Sequence, residues 1–554
     1  MMVHSKPMRV TLAMVLAAAS CLALASCNTM LSSREAEDYV GPITARKQAE
    51  LAQSERLKPP AVEVAPPVRA TVPAEGPITL TVGQAMLLAL EHNQALIVER
   101  LNPKIARTVE EQERAVFDPV LTAEYAIART RVRPESEVNV TRGNFLDAGG
   151  IAGVSQTLPT GTTVTADVET DHARTTARGK LDTSRAGLTV TQALLQGYGL
   201  EVNLVSLRQA RLDVLSSQYE LRGFAETLLA QVEESYWSDV LAQRRMAIFE
   251  NSLKLAEQQL SETQERIEVG KLAETELAAA QAEMALRQEG LINARGTLAT
   301  ARLNLLRLLN PPGADLWNRQ LVTESQPAVP EASGDPVEAH VELALRLRSD
   351  LNQARLGVKR NDLELVRTRN GLLPRMDLFV ALGKSGYADS FSRSVKDGFD
   401  GHSYDATVGL FFELPPLNRD ARAQHERATL TRKQSTEVLA NLEQLVQVDV
   451  RAAHIEVLRS REQVTATAAT RKFQEENLRA ETEKFRVGKS TSLLVAQVQR
   501  DLLSAQIAEI EAVVNHMIAL VELYRLDGSL LVRSGIEAPG DQPVVLEGEL
   551  DGGR

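Results

Sequence analysis

The chain repeats itself, and the repeat limits what it can fold into. Ile267-Glu268-Val269-Gly270-Lys271 recurs as Phe485-Arg486-Val487-Gly488-Lys489, an offset of 218 residues. At the same offset Val232 meets Val450, Leu260 meets Leu478, Ala278 meets Ala496, Gln281 meets Gln499, Ala301 meets Ala519 and Leu305 meets Leu523. One shared pentapeptide could be chance, but an ungapped register over this distance marks a duplication. Each half has the same order: a helix, a β-rich stretch, a very long helix, Val-Gly-Lys, and another helix.

The long helices carry coiled-coil spacing. Met246, Phe249, Leu253, Ala256, Leu260, Thr263 and Ile267 alternate by three and four, the seam of packed parallel or antiparallel helices. No proline interrupts residues 201–266, which at 1.5 Å per residue reach ~100 Å. The counterpart over residues 419–486 is equally uninterrupted. A length of 554 residues would otherwise suggest three or four domains at ~150 residues each. The composition opposes that: 44% of the residues are hydrophobic, but only 4% are aromatic. Several separate cores would need more large rings. The formal charge of −11 disfavours phosphate or nucleic-acid partners, and the basic residues alternate with acids along helices as on solvated faces.

The N-terminus has a basic start (Lys6, Arg9), an apolar run from Val10 to Leu24, and small residues, the pattern of a secretory signal. Two cleavage readings compete. Ala23-Leu24-Ala25 suits an ordinary signal peptidase, whereas Leu24-Ala25-Ser26-Cys27 resembles a bacterial lipobox in which Cys27 is acylated. Acyl chains contribute about 0.8 kcal/mol per buried CH₂, enough to hold the chain on a membrane, and Asn28 after the cysteine points, by resemblance to Gram-negative lipoproteins, to the outer membrane. The only other cysteine is Cys21, so no disulfide framework or cysteine-based zinc site is available. Pro59-Pro60, Pro66-Pro67, Pro73 and Pro77 then mark an extended tether.

Strand patterns follow. Leu121, Ala123, Tyr125 and Ile127 alternate with Thr122, Glu124, Ala126 and Ala128. The same period of two recurs around Val164–Val168, Leu188–Val190, Leu378–Leu382 and Tyr404–Phe412. Such alternation suits either a transmembrane β-barrel wall or a soluble antiparallel sheet. The first half is expected to hold four strands (Val120–Thr130, Ile151–Leu158, Thr162–Asp171, Arg185–Ala193), and the second half two (Met376–Ser385, Ser403–Glu413), separated by a polar loop. The tight Leu158-Pro159-Thr160-Gly161 turn is expected on the side of the helices.

With Gln192-Ala193-Leu194-Leu195-Gln196-Gly197 closing the first β-stretch and Val-Gly-Lys at both helical turns, the chain resembles the TolC-like outer-membrane efflux proteins over roughly residues 79–532. The closest flavour is their lipoprotein branch, which serves resistance-nodulation-division pumps. The resemblance implies an α+β membrane fold: a trimeric transmembrane β-barrel continuous with a periplasmic α-helical coiled-coil tunnel, built from an internally duplicated protomer. It implies a homotrimer anchored in outer-membrane lipid and docked to a periplasmic adaptor and an inner-membrane pump of the resistance-nodulation-division or ABC type. The expected organisation is a lipoprotein signal peptide (1–26), a Pro-rich tether from Cys27 (27–78), a first repeat (79–318), a connector (319–335), a second repeat (336–532) and a disordered acidic tail (533–554). Family members typically place two strands in each half, so six per protomer would make an 18-stranded barrel instead of 12. The alternative is that residues 151–171 form an extracellular hairpin.

The resemblance also implies which residues carry function. Val269, Gly270, Lys271 and Val487, Gly488, Lys489 would form periplasmic tips where the adaptor docks, although on geometry alone each is a simple helix reversal. Family members often ring the closed aperture with acids just beyond the tip. Here only Glu276 stands at such a position, with Leu494 as its counterpart, and an ordinary solvated helix residue is the competing reading. No enzyme signature is present: Gly197-Tyr198-Gly199 lacks the rest of a dinucleotide fingerprint, and His425-Glu426 has no second histidine four residues on. No cofactor or metal is expected. Function is therefore expected to be passive export of small molecules through an efflux channel. The alternatives are the outer-membrane duct of a type I protein secretion system and a non-conducting coiled-coil lipoprotein that spaces the envelope.

Overall fold

The computed structural model describes residues 41–42, 76–132, 143–175, 179–270, 272–313, 316–329, 335–487 and 489–546. The signal peptide, Cys27, most of the tether, Lys271, Gly488 and the last eight residues lie outside the described residues. Two units are present: Met1–Pro103, Ser217–Gln353 and Asn441–Val544 form the first, and Lys104–Ser216, Ala354–Ala440 and Val545–Arg554 the second.

In the first unit, short strands β1 (Gly41–Pro42) and β2 (Ile78–Leu80) precede helix α1 (Val82–His92). Thr81 opens α1 with a capping box, accepting from the Gln84 amide while the Gln84 side chain accepts from the Thr81 amide, so two otherwise orphaned donors are satisfied. Asn93 breaks the helix at ψ 121° and caps α2 (Gln94–Glu99) by accepting from the Leu96 amide. Helix α3 (Asn102–Ala115) follows. The second half repeats the break: α7 (Val337–Leu347) stops at Arg348, ψ 126°, before α8 (Ser349–Gly371).

The duplication is plainest in the long helices. Helix α5 (Val205–Glu268, 64 residues) corresponds to α10 (Arg419–Arg486, 68 residues), and α6 (Thr275–Leu309) and α11 (Ser492–Leu526) have 35 residues each. Equivalent positions are buried alike: Val232 and Val450 are fully buried, and Leu305 and Leu523 nearly so. On the predicted seam, Ala256 and Thr263 are buried while Glu257 and Gln258 are exposed. The core of this unit gathers Leu221, Leu229, Tyr236, Leu306 and Leu309 around β2 and β7 (Leu321–Thr323), which pair in parallel. Each such leucine contributes roughly 1.5–3 kcal/mol on burial. Tyr236 ties the strands to α5, donating to the Leu80 carbonyl and accepting from the Ser325 amide, both at 3.0 Å.

Part of the expected tail belongs to this unit. After α12 (Leu530–Arg533), β10 (Ile536–Glu537) pairs antiparallel with β1. Ala538 is buried, the Tyr219 hydroxyl donates to the Gln542 carbonyl, and the Val544 amide donates to Asn352 at 2.8 Å. Residues 533–544 are thus held by the first unit rather than disordered, because their backbone groups find partners there. Likewise, the connector contains a paired strand, β7.

The second unit is built on one six-stranded antiparallel sheet in the order β3-β4-β5-β6-β8-β9. Its strands are β3 (Val120–Val132), β4 (Gly143–Leu158), β5 (Thr162–Thr175), β6 (Gly179–Ala193), β8 (Arg375–Ala388) and β9 (Tyr404–Glu413). All six expected strands exist, and four of the first half stand beside two of the second. Strands β4 and β6 begin earlier than expected, since Asp147-Ala148-Gly149-Gly150 and Lys180-Leu181-Asp182 carry little apolar alternation. The loop expected between β8 and β9 contains a ten-residue helix, α9 (Phe391–Asp400). A short helix, α4 (Leu200–Asn203), leads into α5. No helix is long and apolar enough to cross a membrane among the described residues.

Candidate functional site

The pairing register sorts the six strands into two chemically distinct faces, because side chains alternate along every strand. Leu121, Tyr125 and Ile127 of β3 share a face with Val154 of β4 and with Val164 and Val168 of β5. The same face continues through Leu188 and Val190 of β6, Leu378, Val380 and Leu382 of β8, and Val408, Leu410 and Phe412 of β9. Most of these side chains are exposed, Leu121 at 77% and Val408 at 71%. A continuous exposed apolar patch of this kind marks a surface that meets a partner or a membrane.

The opposite face is polar. It bears Thr163, Thr165, Asp167, Glu169 and Asp171 on β5, flanked by Ser155 and Thr157 on β4 and by Thr189 and Thr191 on β6. Hydroxyl ladders run across it, Ser155 to Thr165 at 3.3 Å and Thr157 to Thr163 at 3.4 Å. Arg185 stands among the acids, 2.8 Å from Asp405 and 3.7 Å from Asp167. Ile151, Phe379 and Phe411 are among the few large apolar side chains on this face.

The β4–β5 turn lies at the helical end of the sheet, as the sequence predicts. The Asn203 side chain donates to the Pro159 carbonyl at 3.1 Å, and the Gly199 amide donates to the Thr160 carbonyl at 3.2 Å. The hairpin therefore runs in the sheet with its turn against the chain entering α5, and residues 151–171 belong to two strands of that sheet and not to a separate hairpin.

The Val-Gly-Lys turns join the paired helices of each half. Between α5 and α6, Gly270 adopts φ +75° and its amide donates to the Ile267 carbonyl at 2.9 Å. A left-handed residue closing a helix is costly for any side chain with a Cβ. Between α10 and α11, the Lys489 amide donates to the Lys484 carbonyl at 2.8 Å, and Thr491 caps α11 through the Leu494 amide. Val269 and Val487 are both exposed. Glu276 is half-buried and accepts a hydrogen bond from the Ser492 hydroxyl, so the structure brings it to the start of the second half's tip helix. About two turns further along, Glu283 joins Arg287 at 2.5 Å and Arg500 of α11 at 2.9 Å.

Sequence reading missed a buried polar cluster in the first unit. Arg222 pairs with Glu226 at 3.1 Å, and His340 meets Asp527 at 2.8 Å. Burial pushes the Glu226 carboxyl up to about 7 against the pull of Arg222, and burial raises Asp239 to about 6 against its bonds to Gln243 and Arg302. His340 and Asp527 lie 187 residues apart, so no local pattern joins them, and the i,i+4 spacing of Arg222 and Glu226 is that of any helix-surface ion pair. His516, on α11, is buried and bonds Ser460 at 3.0 Å, with its pKa lowered by burial, a packing residue. Among the described residues no group of three or more His, Cys, Asp or Glu could hold a metal ion.

Known proteins show the same plan. The family model for outer membrane efflux proteins matches residues 86–311 and 340–529. The cobalt-zinc-cadmium resistance protein CzcC of Cupriavidus metallidurans is 25% identical over 335 residues, covering 59% of this chain and 74% of that protein. The Campylobacter jejuni outer membrane channel CmeC aligns with a TM-score of 0.62 at 14% identity, over 81% of this chain and 86% of its own. CusC, a structure describing transmembrane channel formation, aligns at 0.62 and 15% identity, over 83% and 98%. Helical layers and strand domain are thus those of the TolC-like channels, and the chain belongs to the outer membrane efflux protein family.

Proposed function

We propose that this chain is one third of a trimeric outer-membrane conduit that exports small solutes, divalent metal cations among them, when docked to a periplasmic adaptor and an inner-membrane pump. The observation that carries the reading is the mainly apolar face that continues across all six strands, backed by a polar face. Lipid on one side and water on the other reward that division, and nothing else in the chain explains it.

Strands β3 and β9 each have one unpaired edge in the sheet order. Open edges of this length are aggregation hazards unless another strand covers them. Pairing β9 of one copy with β3 of the next closes the sheet by three-fold symmetry with heterologous contacts, giving an 18-stranded barrel. Barrels of 16–18 strands leave an aqueous channel. Acylated Cys27 would anchor each protomer, and Gly270 and Gly488 would sit at the tips that meet the adaptor. The cobalt-zinc-cadmium resistance role of CzcC and the carboxylates Asp167, Glu169 and Asp171 along one lumen-facing strand favour cations.

Reconstitution in planar bilayers tests this. Discrete conductance with a preference for cations is expected, and replacing Asp167, Glu169 and Asp171 by Asn, Gln and Asn should reduce the cation/anion permeability ratio several-fold. Absence of any conductance would leave only an envelope spacer. Conductance whose ion preference ignores the triple substitution would remove the lumen assignment of that face.

A further inference from the structure

Helix α9 sits where neither the duplicated plan nor a simple surface loop requires a helix. It packs on the apolar face of the sheet, not on the polar one. Gly386 shares that face with Leu378, Val380 and Leu382, and a Cβ there would lie 2.0 Å from the Ser394 carbonyl oxygen and 2.1 Å from the Gly398 amide. Ser184, opposite Gly386 on β6, bonds Ser394 at 2.7 Å in a buried contact. Helix backbone thus lies directly on strand backbone, and Ser394 and Gly398 are small enough to allow it.

Its level along the wall is informative. From Met376, paired with Phe412 at the lower end of the apolar face, to Gly386 is ten residues. At ~3.4 Å per residue and a tilt of about 40°, that is a height of roughly 26 Å, against about 25 Å for the apolar band of outer-membrane barrels. Tyr404, 81% exposed and paired with Lys384 just below α9, occupies the place of an interfacial girdle aromatic.

The side chains of α9 divide accordingly. Phe391, Val395 and Phe399, spaced by four, form one stripe beside the docked edge, and the two phenylalanines are 59% and 66% exposed. Lys396, Arg393 and Asp400 occupy the side away from it. Lys384 donates to the Phe399 carbonyl at 2.6 Å, Arg393 is held by Asp389 at 2.7 Å, and the Asp397 carboxylate accepts from the Tyr387 amide at 3.0 Å. The helix is therefore fastened to the sheet by its polar groups, while the two rings of its aromatic stripe stay largely exposed.

We propose that α9 is an interfacial helix that rests in the outer leaflet, with Phe391, Val395 and Phe399 among the upper acyl chains and Lys396 and Arg393 at the headgroups. Continuity with the apolar wall, the matching height and the split of apolar and charged sides single out lipid as the occupant. The inference rests on the sheet being the membrane wall, and the test separates the two. The full-length protein is reconstituted in phosphatidylcholine vesicles whose lipid is brominated high on one acyl chain. Tryptophan emission is compared with that in unbrominated vesicles for Phe391→Trp, Phe399→Trp, Leu410→Trp and Asp400→Trp, each corrected for the wild-type signal. Quenching of at least two-fold at Phe391→Trp and Phe399→Trp, with none at Asp400→Trp, is expected. Adding Gly386→Leu, which displaces the helix, should abolish the quenching at Phe399→Trp. Quenching of Leu410→Trp alone overturns the inference and leaves the barrel intact, α9 then facing water or a second copy. Loss of quenching at Leu410→Trp as well overturns both.

Discussion

The two halves of this chain match in their helices and differ in their strands. Helices α6 and α11 are equal in length, α5 and α10 differ by four residues, and both halves interrupt the first helix at a single extended residue. The strand layer is four against two. Helices that must pack side by side against their duplicates are constrained in length and seam, since each seam residue fits a hole in a neighbour. A closed sheet has no such constraint on strand number: an added hairpin brings its own pairing and widens the circle. The helical layer is where the duplication had to stay in register, and the sheet is where it could depart.

The tips offer the strongest test of that equivalence. Gly270→Trp combined with Gly488→Trp should abolish adaptor capture in a pull-down, and each single change should weaken it by a comparable factor. Wild-type yield from the double variant would break the assignment, and a large effect from one turn alone would break the symmetry.

Core positions come next. Leu305→Ala and Leu523→Ala delete equivalent buried side chains, and each should cost about 2–5 kcal/mol, read from denaturant unfolding in detergent. Costs that differ by more than that span would show that one half carries the helical layer.

The strand asymmetry predicts a smaller but specific change. Removing residues 143–175 deletes β4 and β5, and β3, which runs antiparallel to β6, can then pair with it directly. Because barrel diameter scales with strand number, 12 strands in place of 18 should leave about half the conductance. Unchanged conductance would mean that β4 and β5 do not line the pore.

Smallest is a pH effect in the first unit. Asp239 is raised by burial from 3.8 to about 6, so between those values the folded state holds a proton that the unfolded chain has released. Stability from this group is therefore largest below pH ~4 and falls as pH rises through ~6. Asp239→Asn should flatten that part of the thermal-unfolding profile, and an unaltered slope would assign it to other groups.

Much of this was legible from local pattern. The offset of 218 exposed the duplication, seam spacing located α5, and alternation placed six strands to within a few residues at their helical ends. The outer ends of β4 and β6 were missed because glycine and charge replace apolar alternation where a strand leaves the apolar face, as at Asp147–Gly150. Helix α9 was missed because ten residues with two phenylalanines show no sustained period, and its docking depends on glycine at position 386, which carries no pattern. The order of the C-terminal stretch depends on partners such as Tyr219 and Asn352, more than a hundred residues away in sequence.

By itself, then, the sequence determined the duplicated order, the long helices and the number of strands, because each is written in periodicity, which is local. Only the tertiary structure decided that the four strands of one half and two of the other make one sheet with one apolar face. It alone brought Glu276 to Ser492, His340 to Asp527 and α9 to the sheet. Those facts depend on register between distant segments, and a two-residue period records which side chains share a face of a strand but not which strand lies beside it.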